Sequence, residues 1–150
     1  MNVFDSKLIK LNVSVQDKDD LFAKMVDDFY INGVISNKDG YLNALKAREE
    51  VLSTGIGFGI ALPHSRHDDV TEFKIAIYVL KDELEYKSLD DSPVKIVVMV
   101  AVPTNDNANY IEMLSLISKS LYRESDRNFL IECKSEEEVI SFFIRKQYEN

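Results

Sequence analysis

The sequence predicts an α/β fold, a central mixed sheet flanked by helices on both faces, as a single domain over residues 1–150. Three observations lead there. The run Val94-Lys-Ile-Val-Val-Met-Val-Ala-Val102 is almost wholly apolar and rich in β-branched side chains, the pattern of a strand covered on both faces. Stretches with helical spacing of apolar residues stand before and after it, so strands and helices are interspersed and a layered arrangement follows. No internal repeat, low-complexity tract or Pro/Ser-rich linker divides the 150 residues, a length that buries a sizeable core in one unit.

Along the chain, Leu8-Ile-Lys-Leu-Asn-Val13 reads as a short opening strand. Asp17 to Ile31 reads as a helix: Leu21, Met25, Val26 and Phe29 recur near helical spacing, Asp17 suits the N-cap, and Asn32-Gly33 closes the C-terminus. A second helix from Lys38 to Leu52 turns Tyr41, Leu45 and Leu52 inward and leaves Arg48 at the edge of that stripe. After a glycine-bearing run come two strands, Phe73 to Leu80 and Val94 to Val102. Tyr110, Met113, Leu114, Ile117 and Leu121 mark a third amphipathic helix, and a shorter one spans Ser125 to Glu132. The last helix opens on Ser135-Glu-Glu-Glu138, a capping box ahead of Val139, Ile140, Phe142 and Phe143. Cys133 is expected in this terminal helical region as a small packing residue.

Charge and composition exclude several classes of function. The formal net charge is -8 without a Lys/Arg cluster, which argues against nucleic acid and is consistent with simple solubility. No stretch approaches the roughly 18 apolar residues that a bilayer-spanning helix needs, so no membrane insertion is expected. The opening Met1-Asn-Val-Phe-Asp-Ser-Lys7 lacks a basic-then-apolar leader pattern. A single cysteine, Cys133, forms no internal disulfide and fits a reducing cytoplasm.

The chemistry concentrates in Ser53-Thr-Gly-Ile-Gly-Phe-Gly-Ile-Ala-Leu-Pro-His64. Three of the five glycines alternate here, at 55, 57 and 59, a pattern for a tight turn or for backbone N–H groups that cradle an anion. The spacing is neither that of the dinucleotide fingerprint nor that of a P-loop. Pro63 stiffens the chain just before His64, presenting the imidazole at a defined place. A neutral imidazole is a good nucleophile near physiological pH, and its phosphorylated form is energetic enough to pass the group on. Arg48 offers planar, bidentate pairing to phosphate oxygens; its competing role is a surface ion pair with Glu49 or Glu50.

Taken together, Arg48-Glu49, Ser53-Thr54-Gly55-Ile56-Gly57 and Gly59-Ile60-Ala61-Leu62-Pro63-His64 resemble the signature of the type-2 enzyme IIA domain, the mannitol/fructose-class component of the phosphoenolpyruvate-dependent sugar phosphotransferase system. The resemblance extends over nearly the whole chain. It implies that His64 accepts a phosphoryl group from the histidine-containing phosphocarrier protein and gives it to a cysteine of an enzyme IIB. It also implies that Arg48 stands beside the phosphohistidine, and that no cofactor takes part. Ser53 and Thr54 match the Ser-Thr ahead of the glycines and, with Gly55 and Gly57, either hold the loop or contact phosphate.

Many members carry a second histidine at the start of the helix after the long apolar strand. Here that place reads Tyr110-Ile-Glu-Met-Leu114, so Tyr110 stands where the imidazole would be, a departure that points towards a galactitol-like branch. Tyr110 is expected at the site edge or in plain packing. His67, in His64-Ser-Arg-His67, is a second site-edge candidate but is expected to be an exposed loop residue. It makes a poor metal pair with His64, because zinc wants three or four ligands and Arg66 opposes a cation. Three functions use these residues: a phosphocarrier in sugar uptake, a regulatory module that signals through the charge state of His64, and an anion-binding module built on the glycine loop alone.

Overall fold

The computed structural model describes residues 3–149. Met1 and Asn2, the first two residues of the stretch read for a leader, lie outside the described residues. Strand β1 (Phe4–Val13) is followed by helices α1 (Lys18–Ile31) and α2 (Lys38–Val51). Three short strands come next: β2 (Gly55–Gly57), β3 (Ile60–Ala61) and β4 (His64–Arg66). The long strands β5 (Lys74–Leu84) and β6 (Val94–Val102) precede α3 (Asn107–Ser120), α4 (Glu124–Ile131) and α5 (Glu136–Gln147).

The sheet is mixed, in the order β1-β5-β6-β3-β2, with β4 also paired to β6. β1 runs parallel to β5, β5 antiparallel to β6, and both β3 and β4 run parallel to β6. Alternation along β5 and β6 sends side chains to two separate cores. Ala76, Tyr78, Val97, Met99 and Ala101 meet α1 and α2 through Leu21, Phe22, Met25, Phe29, Tyr41 and Leu45. Ile75, Ile77, Val98, Val100 and Val102 meet α3, α4 and α5 through Met113, Ile117, Leu130, Val139, Phe142 and Phe143. Both faces of β6 are therefore covered, which accounts for its near-continuous apolar run, and the expected two-faced α/β architecture is the one observed.

Local signals operate as anticipated at most helix ends. Asp17 accepts from the Asp20 N–H, Ser135 from the Glu138 N–H, and Gly33 takes φ +74° past the end of α1. Four expectations need correction. Leu52 does not turn inward: α2 ends at Val51, Leu52 is extended (φ -164°), and its side chain is 56% exposed because helical phase no longer governs it. Leu114 is only partly buried, while Met113 and Ile117 carry the inner face of α3. Cys133 is buried, as a packing residue should be, but in the connector between α4 and α5 rather than in a helix. β1 also begins at Phe4 rather than Leu8. Register shifts within it place Leu8 and Ile9 both in the interior and hide the strand's period of two.

Candidate functional site

β3 and β4 are two pieces of one strand line along β6: Ile60 and Ala61 lie opposite Ile96 and Val97, and His64 lies opposite Val100. Leu62 and Pro63 fill the gap. Proline has no N–H to give a ladder, so pairing is interrupted there. The Pro63 carbonyl accepts from Val100 N–H and the Leu62 N–H goes to the Thr54 carbonyl. This leaves the Leu62 carbonyl for His64, whose Nδ1 approaches it to 2.6 Å. A carbonyl only accepts, so Nδ1 carries the proton and, in the neutral ring, Nε2 holds the lone pair. Burial holds the His64 pKa below that of an ordinary imidazole. The Leu62 bond works against that, the Arg48 charge adds to it, and Glu49 opposes it. The imidazole is thus held in its neutral form, with Nδ1 engaged by the backbone and Nε2 left with its lone pair.

Tyr41 fastens the strand from below. Its buried hydroxyl donates to the Val100 carbonyl at 3.0 Å, and its oxygen lies beside the Ser65 N–H, so it ties β6 to the residue after His64. Arg48, in the last turn of α2, donates from Nη1 to the Leu52 carbonyl at 2.7 Å. That bond caps the helix and fixes the guanidinium near enough to His64 to depress its pKa. Among the described residues Arg48 makes no ion pair, so the competing surface-pair role is not the one observed.

Glu49 belongs to a different device. Its carboxylate accepts from the Thr54 N–H (3.0 Å) and hydroxyl (2.5 Å), and from Lys18 Nζ at 3.0 Å. The Tyr86 hydroxyl lies 2.7 Å from Thr54 Oγ1 and also donates to Glu49. Burial pushes the Glu49 pKa up, but the Thr54 and Lys18 bonds outweigh it and leave the carboxyl below its ordinary value. Thr54 is buried in this cluster, so its side chain anchors the glycine hairpin. Ser53 Oγ accepts from Gly55 N–H, again within the loop.

The hairpin is itself packed on the 85–92 segment: Phe58 N–H donates to Asp90 and Gly59 N–H to Ser92 Oγ. Gly57 takes φ +109°, a conformation that favours glycine, and a Cβ there would stand 2.9 Å from Asp90 Oδ2, so the Asp90 carboxylate would have to shift. Ser53, Thr54 and the Gly55 N–H make contacts that hold the loop.

Tyr110 does reach the site: its ring centroid lies 5.6 Å from that of His64, tilted by 45°. The Arg66 guanidinium lies over the same ring at 5.2 Å. His67 is turned to its own loop, with Nδ1 accepting from Asp69 N–H at 3.1 Å. Among the described residues no group of three or more His, Cys, Asp or Glu side chains assembles as a metal site. Motif reading passed over Tyr41, Tyr86 and Lys18 as members of this neighbourhood. They arrive from other elements, and only their polar tips on otherwise apolar or surface positions gave any signal.

A neutral imidazole with one free nitrogen, within the influence of a guanidinium held by the Leu52 carbonyl, has the chemistry to take up an anionic group. The family described as "Phosphoenolpyruvate-dependent sugar phosphotransferase system, EIIA 2" matches residues 2–146, and the chain belongs to that family. A fructose-specific EIIABC component of Bacillus subtilis is 37% identical over 88% of this chain, which spans about a fifth (21%) of that relative's length. A fructose-specific EIIA component of Haloferax volcanii is 31% identical, covering 89% of this chain and 86% of its own.

Among solved structures, the nitrogen regulatory protein IIA-Ntr of Neisseria meningitidis superposes with TM-score 0.89 at 27% identity, over 95% of this chain and 97% of that one. The IIA of the Escherichia coli complex between enzyme IIAMTL and phosphorylated enzyme IIBMTL shares the fold, with TM-score 0.82 at 19% identity and coverage of 95% and 97%. The curated relatives named here are of the fructose type. The galactitol-like branch rests on Tyr110 alone.

Proposed function

We propose that this chain is a phosphohistidine carrier, accepting a phosphoryl group on His64 from the histidine-containing phosphocarrier protein and passing it to a cysteine of an enzyme IIB during sugar uptake. The observation that carries the reading is the Nδ1–Leu62 bond, which leaves Nε2 as the free nucleophile within the electrostatic influence of Arg48. In the first step the Nε2 lone pair forms an N–P bond while the donor's N–P bond breaks, its electron pair returning to the donor imidazole. In the second, the IIB thiolate forms an S–P bond and the pair of the Nε2–P bond returns to His64.

Neither step needs a general base or a cofactor. Each needs alignment and a cation facing the equatorial oxygens, which Arg48 supplies. In this role the chain meets two proteins and never the sugar. The free Cys133 and both partners fit the cytoplasm.

The test is labelling with phosphoenolpyruvate, enzyme I and the phosphocarrier protein. The wild type should take up one acid-labile, base-stable phosphate and His64→Ala none; equal labelling of the variant would sink the assignment. A regulatory reading, in which the charge state of the same histidine signals to another protein, is favoured by the likeness to the Neisseria nitrogen regulatory protein. Genes for a sugar IIB and a membrane IIC beside this one would support transport, and an isolated gene would support regulation.

A further inference from the structure

His64 and Arg66 are two residues apart on β4, opposite Val100 and Val102 of β6, both of which face the second core. Their side chains therefore leave the strand on one face, with roots roughly 7 Å apart. That face is the one α3 covers, and Tyr110 lays one ring across both: His64 at 5.6 Å and the Arg66 guanidinium at 5.2 Å from its centroid. Arg66 is exposed and, among the described residues, has no carboxylate partner. What holds it is the π-face of Tyr110, which positions a cation while leaving all five N–H donors free.

We infer that Arg66 is a second phosphate-binding cation of this centre, held in place by Tyr110, and that the pair does the work a second imidazole would do at position 110. The inference rests on the phosphohistidine reading of His64. Arg48 reaches His64 from the end of α2, on one side of the sheet edge; Arg66 reaches it along β4 from beneath α3, on the other. A phosphoryl group on Nε2 presents three equatorial oxygens, more than one guanidinium satisfies, and two cations approaching from different elements can share them. Tyr110 is a positioning residue here: its ring, rather than its hydroxyl, carries the role.

Wild-type protein is first labelled from phosphoenolpyruvate through the phosphocarrier protein; failure to label refutes the phosphohistidine reading itself. With labelling established, Arg66→Gln is expected to lower the maximal transfer rate about tenfold, the scale of one charge-assisted contact. It should do so with little change in the apparent KM for the donor, and should move the 31P resonance of the phosphohistidine. Arg66→Lys should recover part of the rate. Tyr110→Leu should fall as Arg66→Gln does, and the double variant should be no slower than the slower single one. A rate within twofold of wild type for Arg66→Gln would overturn the inference, as would an unmoved 31P resonance. A loss cured by saturating donor would also overturn it, because that marks a docking contact.

Discussion

Leu62 turns its N–H to the Thr54 carbonyl rather than to β6, and its own carbonyl is the acceptor that sets the proton of His64 on Nδ1. Ring-resolved NMR titration should show Nδ1 protonated in the neutral form and a His64 midpoint below the reference of about 6.5, since burial is the first cause of its depression. The folded protein then prefers the neutral ring. Its contribution to stability is complete above about pH 6.5 and declines as pH falls from there through the lowered folded value, where the unfolded chain binds the proton more readily. Arg48→Ala should raise the midpoint, because the guanidinium charge is one of the lowering causes, and should slow phosphoryl transfer while leaving the fold intact. A slow transfer with an unmoved midpoint would place Arg48 away from the imidazole. His64 and Arg48 were readable as a motif because both lie in one continuous segment. The Glu49–Thr54–Tyr86–Lys18 cluster was not, since its members come from α1, α2, the glycine loop and the segment after β5, and only tertiary packing joins them.

The glycine hairpin shows what one element does for the site. β2 and β3 are short, but Thr54 at their base is locked to Glu49 and the turn is locked to Asp90 and Ser92. Bonds from Ser92 and from the Phe58 N–H hold the Asp90 carboxyl at a pKa of about 2, consistent with a carboxylate that stays charged as the acceptor of this turn. Gly57→Ala puts a Cβ on a backbone at φ +109° and against Asp90. The expected cost is about 1–2 kcal/mol, or roughly 2–4 °C in melting temperature for each kcal/mol in a chain of this size. Calorimetry decides it, and a variant that melts with the wild type would mean the turn relaxes freely. Long elements were legible because their apolar periods repeat several times: α1, α3, α5, β5 and β6 all stand close to their expected places. β2, β3 and β4 have two or three residues each, too few for any period, and were visible only as glycines and a proline. Leu52 was misplaced for the same reason in reverse, since the helical phase was carried one residue past the end of α2.

Across the whole molecule the sheet separates what makes the protein stable from what makes it react. α5 packs on β1, at the opposite margin of the sheet from β3 and β4, roughly 14 Å away at about 4.8 Å per strand step. There Phe143 is fully buried, stacked on Phe4 at 5.3 Å and edge-on to Phe142 at 5.1 Å. Phe143→Ala should remove about 3–5 kcal/mol, a large share of the 5–15 kcal/mol typical of a domain. Urea denaturation should therefore show a much lower midpoint with little change in slope. Below its own unfolding transition the same variant should still transfer phosphate at close to the wild-type rate, because the rings against Phe143 are those of Phe4 and Phe142, at the margin of the sheet away from His64. Arg48→Ala should do the reverse, losing rate with only the small fall in denaturation midpoint that the lost bond to the Leu52 carbonyl brings, and a Phe143→Ala/Arg48→Ala double variant should show the two losses independently, as distant sites do. If Phe143→Ala instead slowed transfer while fully folded, the change would be carried within the second core, against which Tyr110 also packs, and the His64 geometry would depend on packing at the opposite margin of the sheet.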